Sequence, residues 1–78
     1  MANSSPRSVL VRETPIELSQ FIKFAGLAAT GGEAKQAVLE GGVEVNGAVE
    51  TRRGRKLQEG DVVTVAGEAL VVAVSKHR

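Results

Sequence analysis

Arg52, Arg53, Arg55 and Lys56 put four positive charges into five residues, with Gly54 between them. The chemistry open to such a run is anion binding. A guanidinium presents paired N–H donors that match two phosphate oxygens, and a lysine adds a point charge. No acid lies within the run, so its charges repel one another until an anionic partner arrives, which favours a phosphate partner over an ordinary solvated loop. A second candidate is Thr30-Gly31-Gly32, followed by Glu33 and Lys35. These residue types cap a helix, and free backbone N–H groups at a helix start also form a nest for a phosphate. Lys35 would assist an anion there; Glu33 would oppose it.

Enzymatic chemistry has no comparable support. A nucleophile needs an oriented base. The one histidine, His77, is penultimate in the chain, where a solvated side chain is expected. Glu13, Glu17, Glu33, Glu40 and Glu44 fall at cap, turn and surface positions and do not form a desolvated pair. No phosphate-binding loop or dinucleotide fingerprint occurs. With no cysteine and a single histidine, disulfides and zinc sites are excluded, and neither metal nor cofactor is expected. No apolar stretch approaches the roughly 20 residues of a membrane span, and residues 1–7 carry no signal-peptide core, so a cytoplasmic protein is expected. Net charge is only +1. A segregated basic loop on a near-neutral body implies one local anionic partner rather than general stickiness.

The elements that must position these residues follow from periodicity. The 78 residues, 42% apolar, make one domain. Residues 1–8 are expected as a flexible tail, 9–75 as the domain and 76–78 as a second tail. Val9-Leu10-Val11 starts a β-prone run. Thr14-Pro15-Ile16-Glu17 reads either as a capping box or as strand to Ile16 with a helix from Glu17 or Leu18; the second is preferred because it frees Ile16 for the core. Leu18, Phe21, Ile22 and Ala25 follow i, i+3, i+4, i+7 spacing, and Gly26 stops that helix. Thr30 and Glu33 form a capping box for a second helix with Ala34, Ala37 and Val38 on its apolar stripe, Leu39 as a further candidate, and Gly41-Gly42 as its end.

Beyond Gly42 the period changes from 3.6 to 2. Val43-Glu44-Val45 leads into Asn46-Gly47, a strong hairpin signal. A strict two-residue turn would set Glu44 opposite Val49 and Val43 opposite Glu50, mixing faces, so a bulge or a short second arm is expected. Thr51 to Lys56 is then a polar loop that offers the core nothing before Leu57. Glu59-Gly60-Asp61 is a turn. Val62 to Val65 and Leu70 to Val74 are strands joined through Ala66-Gly67-Glu68. The fold class expected is α+β: two short packed helices against a small, curved, mainly antiparallel sheet. Phe21 and Phe24 are the only aromatics, with Phe21 on the buried face. Stacking platforms for single strands are therefore scarce, and a structured or double-helical partner is expected.

The order of two helices, Gly42-Val43-Glu44-Val45-Asn46-Gly47 and Gly60-Asp61-Val62-Val63, together with Leu18, Phe21, Ile22 and Ala34, resembles the RNA-binding domain of small-subunit ribosomal protein four, the αL motif. The likeness covers residues 16 to 66. Phe21-Ile22-Lys23, Thr30 to Lys35 and Glu50 to Leu57 further resemble a subgroup of small stand-alone bacterial members. The resemblance implies an RNA-contacting surface on the two helices and the loop after the hairpin. Carried onto this sequence, it nominates Lys23, Thr30, Lys35, Arg52, Arg53, Arg55 and Lys56, and Gly31 joins them as part of the nest at the start of the second helix. Many members place an arginine after the Ser or Thr that caps the second helix; Gly31 stands there instead, and Glu17 stands where a basic residue is usual. The phosphate grip should shift toward residues 52 to 56. The expected partner is structured RNA, ribosomal or transfer RNA, bound by a non-enzymatic monomer that acts alone, on the ribosome or with a separate RNA-processing protein. A protein-interaction adaptor and a duplex-DNA-binding protein are the alternatives.

Overall fold

Apolar side chains at i, i+3 and i+4 give a short helix one dry stripe, which must be covered by another element. In a computed structural model describing residues 6–75, that cover is a sheet built mostly from residues beyond Gly42. The elements in chain order are β1 (Arg7–Val11), β2 (Ile16–Glu17), α1 (Leu18–Phe24), α2 (Gly31–Leu39), β3 (Val43–Val45), β4 (Ala48–Val49), β5 (Lys56–Leu57), β6 (Val62–Val65) and β7 (Glu68–Val74). Five strands form one sheet in the order β1-β7-β6-β3-β4, and β2 pairs with β5 in a second, two-stranded sheet. All pairings are antiparallel except β1 with β7. The α+β class and the mainly antiparallel sheet are as expected. Arg7 and Ser8 lie in β1, inside the segment expected as a tail. His77 lies outside the described residues.

Strand alternation supplies one wall of the core. Val9 and Val11, Leu70 and Val72, Val63 and Val65, and Val43 and Val45 all point to the helices. Leu18, Phe21, Ile22, Ala34 and Val38 meet them, all with no solvent exposure. Ala25 packs at the edge of this core, as its i+7 position requires. Leu39 does not: it is 52% exposed. One residue past Val38, it has turned about 100° away from the sheet.

The choice between the two readings of residues 14–17 falls to the second. Ile16 is in β2, half-buried against the core, and α1 begins at Leu18. The hairpin after β3 has a strict two-residue turn, with Glu44 opposite Val49 and Val45 opposite Ala48. Asn46 and Gly47 both have positive φ, 52° and 88°, as a type I′ turn needs. The second arm is short, two residues, and carries no bulge. The Glu50 N–H still donates to the Val43 carbonyl (2.9 Å).

The two sequence signals of this region are joined physically. Asn46 Oδ1 accepts from the Val62 N–H (2.9 Å), Asn46 Nδ2 donates to Asp61 Oδ1 (3.2 Å), and Asp61 Oδ2 accepts from the Gln58 N–H (2.8 Å). The Asn-Gly turn and the Gly-Asp turn are thus halves of one polar junction. At Gly47 (φ 88°) a β-branched side chain would be forced into left-handed backbone. Gly47→Val is expected to destabilise the domain by roughly 1–2 kcal/mol, lowering Tm by about 4–8 °C per kcal/mol in a domain this size. Thermal denaturation followed by circular dichroism checks it; an unchanged Tm would contradict the turn assignment.

Candidate functional site

The basic loop is fixed to the start of α1. Glu17, the N-cap residue, makes no side-chain cap bond. Two orphan donors of the first turn are satisfied from the loop instead: the Leu18 N–H donates to the Arg55 carbonyl (2.8 Å) and the Ser19 N–H to the Arg53 carbonyl (3.3 Å). The β2–β5 pairing, Ile16 with Leu57 and Glu17 with Lys56, holds the far end, where Leu57 is fully buried. The loop closes on itself through an Arg55 N–H bond to the Arg52 carbonyl (3.1 Å). Gly54 has no positive φ and a side chain there would meet nothing within 4 Å, so this turn does not depend on glycine. Ser19 is 2% exposed on an otherwise polar side of α1 because the loop lies over it.

Glu50 organises the charges. Its carboxylate, 8% exposed, accepts from Arg52 Nε (2.9 Å), Arg52 Nη2 (3.2 Å), the Arg52 backbone N–H (3.0 Å) and Arg55 Nη1 (2.7 Å). The hydrogen bonds from Arg52, then those from Arg55, lower its pKa from the ordinary 4.5 to about 2. Arg52 is shifted upward in return, by the hydrogen bond to Glu50 and its charge. Lys56 Nζ lies 3.7 Å from Glu17 Oε2. Arg53 makes no ion pair among the described residues. The expectation of uncompensated repulsion is therefore corrected. Set against Glu50 and Glu17, the four cations leave a local charge of +2. The expectation that the loop gives the core nothing before Leu57 is corrected too, since its carbonyls cap a core helix.

Sequence reasoning missed Glu50 as a functional residue. The signal was present: the register setting Glu50 opposite Val43, a buried position, demands a partner for a carboxylate facing inward. Two arginines close by in the chain supply it.

The other nominated residues divide by position. Lys23 is exposed in the last turn of α1, four residues after Ser19, so it continues the ridge over which the loop lies. Thr30 and Gly31 start α2, beyond the opposite end of α1 from the loop. Thr30 Oγ1 accepts from the Glu33 N–H (3.1 Å), and Glu33 Oε1 accepts from the Ala29 N–H (2.9 Å). This helix start is closed by its own carboxylate, one residue earlier than the standard reciprocal box. Lys35 is exposed on α2 and makes no ion pair among the described residues. Phe24 is 60% exposed, so an aromatic face is available after all. Among the described residues no group of three or more His, Asp or Glu is placed to hold a metal ion, and no helix is long and apolar enough to cross a membrane.

The low Glu50 pKa sets a pH dependence of stability. A carboxylate whose pKa falls on folding contributes in full above its unfolded value, near 4.5, and that contribution fades as pH drops toward about 2. Glu50→Gln is expected to lower stability at neutral pH, with the gap to the parent narrowing through that window. Denaturant unfolding of both proteins across the pH range measures it; a gap independent of pH would exclude ionised Glu50 as the source.

The family model of the S4 domain matches residues 9–73. Over 57 residues the chain is 42% identical to the Escherichia coli (strain K12) protein named "Putative RNA-binding protein YbcJ", covering 73% of this chain and 81% of that one. It is 48% identical over 52 residues to the Bacillus subtilis (strain 168) protein named "Probable ribosome maturation protein RlbA", covering 67% and 73%. The solution structure of YbcJ from E. coli, described as revealing an αL motif involved in RNA binding, matches with a TM-score of 0.63 at 37% identity, over 94% of this chain and 91% of that one. The family match over residues 9–73, the identity to these relatives and the shared fold agree: the chain belongs to the S4 domain family.

Proposed function

We propose that this protein binds structured RNA, gripping phosphates with Arg52, Arg53, Arg55 and Lys56 and extending the contact along the helices through Lys23, Lys35 and the start of α2 at Thr30 and Gly31. The observation that carries the reading is the anchored loop. Its backbone is tied to α1 and two of its guanidiniums are held by Glu50, so the loop backbone, Arg52 and Arg55 are ordered before any partner arrives. Ordering them in advance lowers the entropic cost of binding. Arg52 keeps 75% of its side-chain surface exposed while paired, leaving its outer edge for a phosphate. The relatives named for RNA binding and ribosome maturation support the same partner class. On this reading the protein works in the cytoplasm as a monomer without catalytic machinery. It acts on a ribosomal particle or beside a separate RNA-processing protein.

Replacing all four cations would strand the Glu50 carboxylate and confuse binding with folding. Arg53→Ser with Lys56→Ser leaves the clamp intact. This double variant is expected to keep the parent fold while the slope of log affinity against log salt falls by about 1.4 to 1.8, two phosphate contacts at 0.7 to 0.9 each. Titration of a hairpin RNA at several salt concentrations measures it. A folded variant with the parent's affinity and slope would remove Arg53 and Lys56 from the contact surface.

The start of α2 has its own test. A side chain at Gly31 would meet nothing within 4 Å, and its φ is not positive. Gly31→Arg restores the residue common in the family and is expected to tighten RNA binding, raising the salt slope by about 0.7 to 0.9. Helix propensity predicts no loss of Tm. Unchanged affinity would remove Thr30 and Gly31 from the contact surface.

A further inference from the structure

Phe24 stays in water although Phe21, three residues earlier, is fully buried. Two adjoining surface hollows, about 270 and 340 Å³, share Ile16, Gln20 and Phe24 as walls. Arg12 and Glu13 line the first and Lys23 the second. Arg12, Glu13 and Lys23 make no ion pair among the described residues, so the cations outnumber the acid at the rim. A flat apolar surface, an amide that both donates and accepts, and cations on either side match one chemistry well. It is that of an unpaired nucleobase with its flanking phosphates. A protein anchor fits less well, because one exposed ring with Pro15 and the half-buried Ile16 beside it offers little of the area a stable protein interface buries.

The position agrees with the proposed RNA path. At about 100° per residue, the surface of α1 runs from Ser19, beneath the basic loop, to Lys23, then Gln20, then Phe24. An RNA lying on the loop would bring a neighbouring nucleotide over this helix. We propose that Phe24 is the stacking platform for one unpaired base of that RNA, with Gln20 at the base edge and Lys23 and Arg12 toward the adjacent phosphates. This site rests on the RNA-binding reading above.

The test compares the whole chain with its Phe24→Ala, Phe24→Leu and Phe24→Tyr variants. The probes are two hairpin RNAs that differ only by one bulged nucleotide beside the stem, titrated at several salt concentrations. Circular dichroism controls for folding, which an exposed side chain should not disturb. The parent is expected to prefer the bulged RNA. Phe24→Ala should lose about 5- to 100-fold on that RNA, with its salt slope unchanged because a stack releases no counterions. Binding to the fully paired hairpin should not change. Tyrosine should retain the preference and leucine should not. Equal losses on both RNAs, no loss on either, or full retention by leucine would overturn the stacking site while leaving RNA binding in place. Failure of the parent to bind either RNA in a salt-dependent way would instead overturn the RNA-binding reading and, with it, this site.

Discussion

Every helix begins with backbone N–H groups that have no partner within the helix. In α1 the Leu18 and Ser19 donors find theirs on the carbonyls of Arg55 and Arg53, which reach them from far along the chain. A lost N-cap costs about 1 kcal/mol, and here the cap is also the backbone of the cationic loop. The helix that carries Leu18, Phe21 and Ile22 into the core and the loop that carries the charge are therefore one mechanical unit. The loop cannot swing away from the body without leaving α1 uncapped, and its end is further fixed by the buried Leu57.

The same unit resolves an electrostatic conflict. Four cations in five residues repel one another, and a carboxylate turned inward is costly to desolvate. Placing Glu50 beneath Arg52 and Arg55 answers both costs, with charge-assisted hydrogen bonds at 2.7 to 3.2 Å. The arrangement differs from an isolated surface ion pair, whose contribution is small, because the carboxylate is nearly buried and accepts from three side-chain nitrogens and one backbone N–H. It also explains how a chain of net charge +1 presents a concentrated positive surface. Neutralisation happens on the inner side of the loop, and the outer side keeps its charge.

The opposite end of α1 is built on different terms. There α2 starts with a cap closed by Thr30 and Glu33, an acid at the place where a helix start would otherwise attract an anion. Between the two ends, the outward side of α1 combines Lys23, Gln20 and an exposed ring. Such a short helix has one stripe for the core and a comparable surface left over, and the leftover surface is not uniformly polar.

Local physics made much of this legible in the sequence. The i, i+3, i+4 spacing of Leu18, Phe21 and Ile22, the Thr30–Glu33 cap, the Asn46-Gly47 turn and the alternating valines depend on interactions within a few residues, and the structure has all of them. The position of the basic run and the anchoring by Leu57 were legible for the same reason. The parallel pairing of β1 with β7, the capping of α1 by the loop and the role of Glu50 were not. Each depends on which distant segments meet and on what is thereby removed from water. A glutamate near two arginines in the chain is an ordinary solvated residue until the register of β3 and the chain beyond β4 turns it inward. Tertiary structure alone supplies that desolvation, and with it the strength of the clamp.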